Sequence, residues 1–281
     1  MFIDTHAHVN FNRFKEDSKE VLEDSLKNNT WVINVGSEYR TSKRAVEMAG
    51  KFDQGVYAVI GLHPIHTFAH EVDEEEDSFI SREEIFDYDK YKELALDEKT
   101  VGIGECGLEY FRLIEGKEDE IKKKQEEIFR AQIDLAADVG KTLMIHSRDA
   151  YEAVYEILKE SRNKLANVVI HSFISSYEEA KKFLDLDCYI SFNGIITYKP
   201  SKEKKPGLSD PGLFEAVEKV PLERTLLETD CPYLAPQKVR GTRNIPKNVE
   251  YVAEKIAEVK GLEKGSVEEQ TTKNARLVFG I

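Results

Sequence analysis

Cysteine is scarce: Cys106, Cys188 and Cys231 are the three in 281 residues, and none stands in a C-x-x-C spacing. Three thiols cannot all pair within one chain, so a disulfide framework is set aside and a reducing cytoplasm is the expected compartment. Small buried apolar side chains are their expected role. No run approaches the roughly 20 apolar residues that span a bilayer, and the opening MFIDTHAHVN has neither a basic region nor a long apolar stretch, so membrane insertion and export are not expected. Gly/Ser linkers and internal repeats are missing as well. There is no G-x-S-x-G elbow, no G-x-x-x-x-G-K-[ST] loop and no H-E-x-x-H helix, which sets aside three common catalytic designs.

Positive charge is the other shortage. The net charge is −13, which argues against a broad electropositive face for nonspecific nucleic-acid binding. The acidity is uneven, however. Residues 71 to 93 carry eleven acids against Arg82, Lys90 and Lys92, a local net of −8, whereas between Tyr233 and Glu250 no acid occurs and Lys238, Arg240, Arg243 and Lys247 do. One basic rim on an acidic protein is the expectation.

What is present is an alternation. With 41% hydrophobic and 33% charged residues, the chain can bury a substantial core. Short apolar or β-branched runs at 2 to 9, 31 to 37, 55 to 63, 100 to 106, 141 to 148, 167 to 173, 188 to 194 and 224 to 230 read as eight strands. Amphipathic segments fall between them, near 17 to 28, 40 to 51, 118 to 139, 151 to 165, 177 to 186 and 210 to 219. Gly140 is the expected stop of the longest. Pro246 opens a later helix, and Ser266 with Glu269 reads as the capping box of the last. Eight βα units in one domain of residues 1 to 281 predict an α/β fold, a TIM-type (β/α)8 barrel. The stretch from about 65 to 99 is then an acidic excursion after strand 3, helical around 81 to 96, with EVDEEED at 71 to 77 as a solvated loop.

In such a barrel, chemistry sits where strands end. Those positions hold His6 and His8, His63, Glu105, His146, His171 and Asp230, so five of the seven histidines fall at strand ends. His6 and His8, two apart on a strand, share one face and can grip one ion. Imidazole with carboxylate suits divalent ions, and six ligands from five strands (His6, His8, Glu105, His146, His171, Asp230) exceed one tetrahedral site, so two ions, Mg, Mn or Zn, are expected. The G-x-G-x-x-G inside TVGIGECGLEY does not make a dinucleotide loop, since Glu105 would set a charge against a pyrophosphate.

At these residues the chain resembles the TatD family of metal-dependent hydrolases. The resemblance rests on IDTHAHVN, GLHP, GIGECGLEY, MIHSRDA, the IHSF segment, ETDCPYLAP, RGTRN and NARLVFG, in order along nearly the whole chain. It implies a binuclear centre on His6, His8, Glu105, His146, His171 and Asp230 and a magnesium- or manganese-dependent deoxyribonuclease, often 3′ to 5′. The chain departs from the family pattern at Glu109, where Asp is usual, and at Val239, where His is common. IHSFISS also departs at Ser172, Ile174 and Ser175. Glu109 and Val239 are expected to bear on substrate preference.

The division of labour expected is His6, His8 and Asp230 on one ion, His146 and His171 on the other, and Glu105 between them, with Asp230 orienting the nucleophile and taking its proton. Arg148, Arg240 and Arg243 are candidates for phosphate contacts and His63 for a hydrogen bond to phosphate, with single-stranded DNA as partner. Tyr110, Phe111 and Tyr198 are candidates to stack a base. His66 and His70 are expected to be solvated. The competing function is an amidohydrolase or esterase acting on a carbonyl such as an aminoacyl ester with the same centre.

Overall fold

Strands buried on both faces need continuous apolar sequence, and eight such segments form one sheet in a computed structural model that describes residues 1–68, 70–74, 77–81, 83–199 and 211–281. They are β1 (Phe2–Ala7), β2 (Thr30–Val35), β3 (Val56–Ile60), β4 (Thr100–Glu109), β5 (Thr142–Arg148), β6 (Val168–Ile170), β7 (Tyr189–Phe192) and β8 (Thr225–Leu227). Neighbours in sequence are neighbours in the sheet, all parallel. The sheet closes on itself through a parallel bridge between Ala7 and Cys231, extended by Asp230 N–H to His6 O at 2.9 Å and His8 N–H to Cys231 O at 2.8 Å. This is the expected (β/α)8 barrel.

The helices are α1 (Ser18–Lys27), α2 (Tyr39–Ala49), α3 (Tyr88–Ala95), α4 (Glu118–Val139), α5 (Tyr151–Ser161), α6 (Tyr177–Asp185), α7 (Pro211–Lys219), α8 (Val249–Lys260) and α9 (Lys264–Phe279). In α4, three acids in the first turn complement the macrodipole, and Gly140 ends the helix at φ 64°. The last helix differs from expectation at its start: Glu263 is the N-cap, so Ser266 stands inside α9 and its proposed box with Glu269 is not the cap. A cap needs extended backbone, and that conformation falls on Glu263 (φ −72°, ψ 139°).

Two apolar layers result. Ile3, Ile33, Val35, Val59, Val101, Met144, Val169, Tyr189 and Leu226 fill the barrel, plugged at one end by Ala275, Val278 and Phe279 of α9. The larger layer lies between strands and helices. The acidic excursion is corrected in one respect. Its backbone forms an antiparallel hairpin, His70–Glu74 against Asp77–Ser81, where a loop was expected, and residues 75 and 76 of the EVDEEED run lie outside the described residues. Acids are depleted in strands, and six of them between residues 70 and 81 hid the pattern around Val72, Phe79 and Ile80. Among the described residues no helix is long and apolar enough to cross a membrane.

Candidate metal centre

Glu105 comes up from β4 into the barrel mouth, buried at 4% exposure. Its backbone lies unusually close to β5, and two glycines permit this. A Cβ at Gly104 (φ 150°) would meet Met144 O at 2.5 Å, and one at Gly107 (φ 132°) would meet His146 O at 2.0 Å. The glycines of TVGIGECGLEY therefore serve strand packing.

The two oxygens of Glu105 face different groups. Oε2 lies 3.3 Å from His6 Nε2 and 4.0 Å from His8 Nε2. Oε1 lies 2.9 Å from His146 Nδ1, 3.1 Å from His171 Nε2 and 3.3 Å from His63 Nε2. Asp230 joins the first group, its Oδ1 at 3.2 Å from His8 Nε2 and 3.8 Å from His6 Nε2. Its backbone takes φ 57° past the end of β8, a turn that Asp tolerates. All six expected ligands converge, and His63 converges with them. Ligand atoms of His6, His8 and Glu105 lie within 4.8 Å of one another, as do those of His63, Glu105 and His146.

Each ring is held from behind. His8 Nδ1 is 2.9 Å from Val35 O, His171 Nδ1 is 3.0 Å from Glu228 Oε1, His146 Nε2 is 3.3 Å from Glu109 Oε2 and His6 Nδ1 is 3.1 Å from Met144 Sδ. A carbonyl only accepts, so Nδ1 of His8 carries a proton. The two Nε2 atoms face each other at 3.1 Å, with Glu105 Oε2 and Asp230 Oδ1 within 4.0 Å of both. Two imidazole nitrogens and two carboxylate oxygens so crowded are donors that a shared cation would draw together. The donor set therefore fits a metal, with outer-shell anchors already in place.

Charge follows the same partition. Burial pushes the Glu105 carboxyl up, but the surrounding histidines, His63 foremost, pull it well below the usual range. Asp230 is likewise raised by burial and then drawn down to about 2 by its hydrogen bond with His8 and by nearby imidazoles. Burial lowers His63 to about 4, which keeps it neutral. His8, His146 and His171 are also pushed down by burial, yet their carboxylates carry them above the ordinary 6.5.

Two buried acids were not among the expected site residues. Glu228, fully buried, anchors His171 and accepts Ser172 N–H at 2.7 Å. Asp4 ties β1 to the segment just after β8 through Thr229 N–H at 2.8 Å and the Thr229 hydroxyl at 2.6 Å. The signal for both was the strand period: Asp4 precedes His6 by two, and Glu228 precedes Asp230 by two. Glu109, expected near substrate, is instead 2% exposed against His146, with Arg112 Nη1 at 3.4 Å. From α4, Gln125 grips the Glu109 backbone (2.9 and 3.3 Å) and Gln132 grips Leu62 beside His63 (2.8 and 2.9 Å).

The outer candidates lie on the rim. The Arg148 guanidinium sits 4.1 Å from the Phe111 ring centroid and that of Arg240 4.4 Å from Tyr198. Arg243 stacks on Phe14 and is bound by Asp17, with Nη1 to Oδ1 at 3.0 Å. Lys238 and Lys247 pair with Glu254 and Asp24, so most of the basic rim is neutralised locally. Tyr110 bonds Glu126 through its hydroxyl. His66 is buried, contrary to its expected solvation, in the short helical turn Pro64–Thr67 that follows His63; the side chain of His70 lies outside the described residues. All three cysteines are buried and unpaired as expected, and burial pushes the Cys188 thiol to about 12.

The family described as TatD related DNase matches residues 3–280. The metal-dependent hydrolase YabD of Bacillus subtilis is 38% identical over 282 residues, 100% of both chains. A 3′-5′ ssDNA/RNA exonuclease TatD of Klebsiella pneumoniae is 31% identical over 254 residues, covering 89% of this chain and 86% of its own. The crystal structure of YjjV, a TatD homologue from Escherichia coli K12, superposes with a TM-score of 0.80 at 25% identity, covering 100% of this chain and 98% of that one. With the barrel and the converging ligands described above, the chain belongs to the TatD family of metal-dependent hydrolases.

Proposed function

We propose that the chain hydrolyses phosphodiester bonds of nucleic acid, shortening single-stranded DNA from its 3′ end, with two divalent ions (Mg, Mn or Zn) in the barrel mouth. The observation that carries this is the division of Glu105, one oxygen toward His6 and His8 and the other toward His146 and His171. His6, His8 and Asp230 would hold one ion, His146 and His171 the other, and Glu105 both. When bound, such a pair supplies a nucleophile at neutral pH and neutralises developing phosphoryl charge.

The chain's own residues do the rest. Asp230, ionised and 17% exposed at its side chain, accepts the proton of the attacking water. His63 accepts Ile65 N–H at Nδ1 (3.0 Å), so its neutral ring carries the proton on Nε2 and donates to a phosphate oxygen. Arg148, Arg240 and Arg243 line the approach of the phosphate backbone. The exonuclease name of the Klebsiella relative supports a nucleic-acid substrate.

The test is a panel of 3′- and 5′-labelled single-stranded DNA, RNA and an aminoacyl ester, with and without chelator. Shortening of DNA from the 3′ end, lost on chelation and restored by Mn²⁺ or Mg²⁺, is expected, and His6→Ala with His8→Ala removes it. Full activity after chelation sinks the metal chemistry, and preference for the ester shifts the reading to an amidohydrolase or esterase.

A further inference from the structure

The segment after β4 presents one aromatic ring to solvent. Among the described residues the large apolar side chains left exposed are Ile85, Leu96, Phe111, Leu262 and Leu277, and Phe111, 43% exposed, is the aromatic one. It stands outside both apolar clusters, so core packing does not account for its place. Its backbone is nonetheless fixed from two sides: Phe111 N–H donates to Glu109 Oε1 at 3.0 Å, and Tyr110 N–H to Arg148 O at 2.9 Å. The other oxygen of Glu109 lies 3.3 Å from His146 Nε2, so a single carboxylate spans from a ring of the metal centre to the backbone of Phe111. One face of the Phe111 ring is covered by the Arg148 guanidinium, 4.1 Å from its centroid. The other two aromatic candidates are committed elsewhere. Tyr110 packs on the outer apolar layer, with its hydroxyl on Glu126 and Lys122 Nζ 5.1 Å from its ring centroid. Tyr198 packs on the same layer, and its hydroxyl donates to Ala235 O at 3.1 Å.

We propose that Phe111, backed by Arg148, binds the substrate by stacking a base that flanks the scissile phosphate. The assignment rests on the nucleic-acid reading above and names the residue that gives it a preference for unpaired ends. Single strands are held by cationic side chains that follow the backbone and by aromatic rings on which bases stack. Both are present here, since Arg148 covers Phe111 and Arg112, bound to Glu109 through Nη1 at 3.4 Å, follows it in sequence. Because the guanidinium occupies one face, the exposed area of the ring lies on the other, and a base laid there completes a stack of guanidinium, ring and base. A ring whose backbone is already fixed loses little freedom on binding. A base inside a duplex has stacking partners to lose, whereas an unpaired base has a face to gain. Every base offers such a face, so the contact tolerates any sequence.

The experiment reads binding, not cleavage. Fluorescence anisotropy follows a short 5′-labelled oligothymidylate with phosphorothioate linkages that resist hydrolysis, with chelator and again with Mn²⁺. Wild type is compared with Phe111→Ala, Phe111→Trp and, as control, Leu277→Ala, since Leu277 is an exposed apolar residue on α9. Each is titrated with the intact strand and with strands that carry an abasic site at the 3′-terminal or the adjacent nucleotide. Phe111→Ala is expected to bind the intact strand about tenfold more weakly, while Phe111→Trp and Leu277→Ala bind as wild type does. An abasic site at one of the two positions is expected to cost wild type the same factor and Phe111→Ala nothing further, because the base and the ring report one contact. The proposal is overturned if Phe111→Ala binds as wild type does, or if the abasic losses are equal in the two proteins. Should Phe111→Ala fail to fold, a wild type indifferent to both abasic sites overturns it, and a loss at one of them that Phe111→Trp shares supports it. A wild type that binds no oligonucleotide under either condition sinks the nucleic-acid reading itself, whereas the outcomes above concern Phe111 alone.

Discussion

Glu228 backs His171 from inside the barrel, its Oε1 3.0 Å from Nδ1, while the opposite nitrogen of the same ring lies 3.1 Å from Glu105. One imidazole is thus set between two carboxylates, one fully buried and one at the mouth. Glu228→Gln keeps the size and an acceptor oxygen but removes the negative charge that faces His171 Nδ1. Outer-shell losses of this kind cost about 10- to 100-fold in metal affinity. Zinc titration of a variant with a wild-type circular dichroism spectrum checks it, and an unchanged affinity would show that His171 needs no anionic support.

Proton linkage makes a second prediction. His8, His146 and His171 are held above 6.5 by their carboxylates in the metal-free chain, so their ion pairs stabilise the fold fully below pH 6.5 and fade as pH rises through the raised values. Glu105 and Asp230 are held low, so their contribution is present above ordinary carboxylate values and fades only in acid. His63, at about 4, stays neutral throughout this range. A metal needs unprotonated rings, so affinity rises with pH as the proton's hold weakens. The gap in Tm between metal-loaded and chelated protein should therefore widen from pH 6 to pH 8.5, with protons released on loading at pH 6.5 and fewer at pH 8.5. A gap that narrows over that range contradicts the assignment.

Gly107 offers a third. Alanine there would place Cβ 2.0 Å from His146 O at φ 132°, with backbone on both sides of the clash. Overpacking and the unfavourable φ together should cost about 3 kcal/mol or more in urea unfolding. Gly116, at φ 79° with nothing within 4 Å of an added Cβ, isolates the backbone term, and its alanine variant should lose about 1 kcal/mol. Equal losses at the two sites would mean that β4 can shift away from β5.

Most of the barrel was legible because parallel strands are buried on both faces and so appear as unbroken apolar runs. The ligands were legible because each ends such a run. Glu109 was not: Gly107 reads as a strand terminator, yet β4 continues through it to Glu109 as the pairing register with β5 shifts between Ile103 and Cys106. Asp4 and Glu228 shared the period of His6 and Asp230, but a buried carboxylate one step below a ligand is meaningful only once its partner across the barrel is known. Met144 gave no signal, since a methionine two residues before a histidine is ordinary core sequence until the strands close. The pairing of Arg243 with Asp17 spans 226 residues, a distance no local pattern covers.

That pairing separates the two rim arginines. Arg240 is exposed, lies over the Tyr198 ring at 4.4 Å, and has no carboxylate partner among the described residues. Arg243 is clasped by Asp17 and by Arg13 O at 2.8 Å, and it holds the Asp17 carboxyl below its usual range. If the rim carries a single strand, each phosphate contact contributes about 0.7 to the slope of log K against log salt. Arg240→Ala should lower that slope by about 0.7 with little change in stability. Arg243→Ala should lower it less and cost up to about 1 kcal/mol, the ordinary range for a surface ion pair. Asp17→Asn frees the Arg243 charge and should raise the slope. Fluorescence anisotropy of a labelled oligonucleotide between 50 and 200 mM salt, on the order of the range where such slopes are read, measures all three. Equal slope losses for the two arginine variants would mean that Asp17 yields Arg243 to the strand on binding.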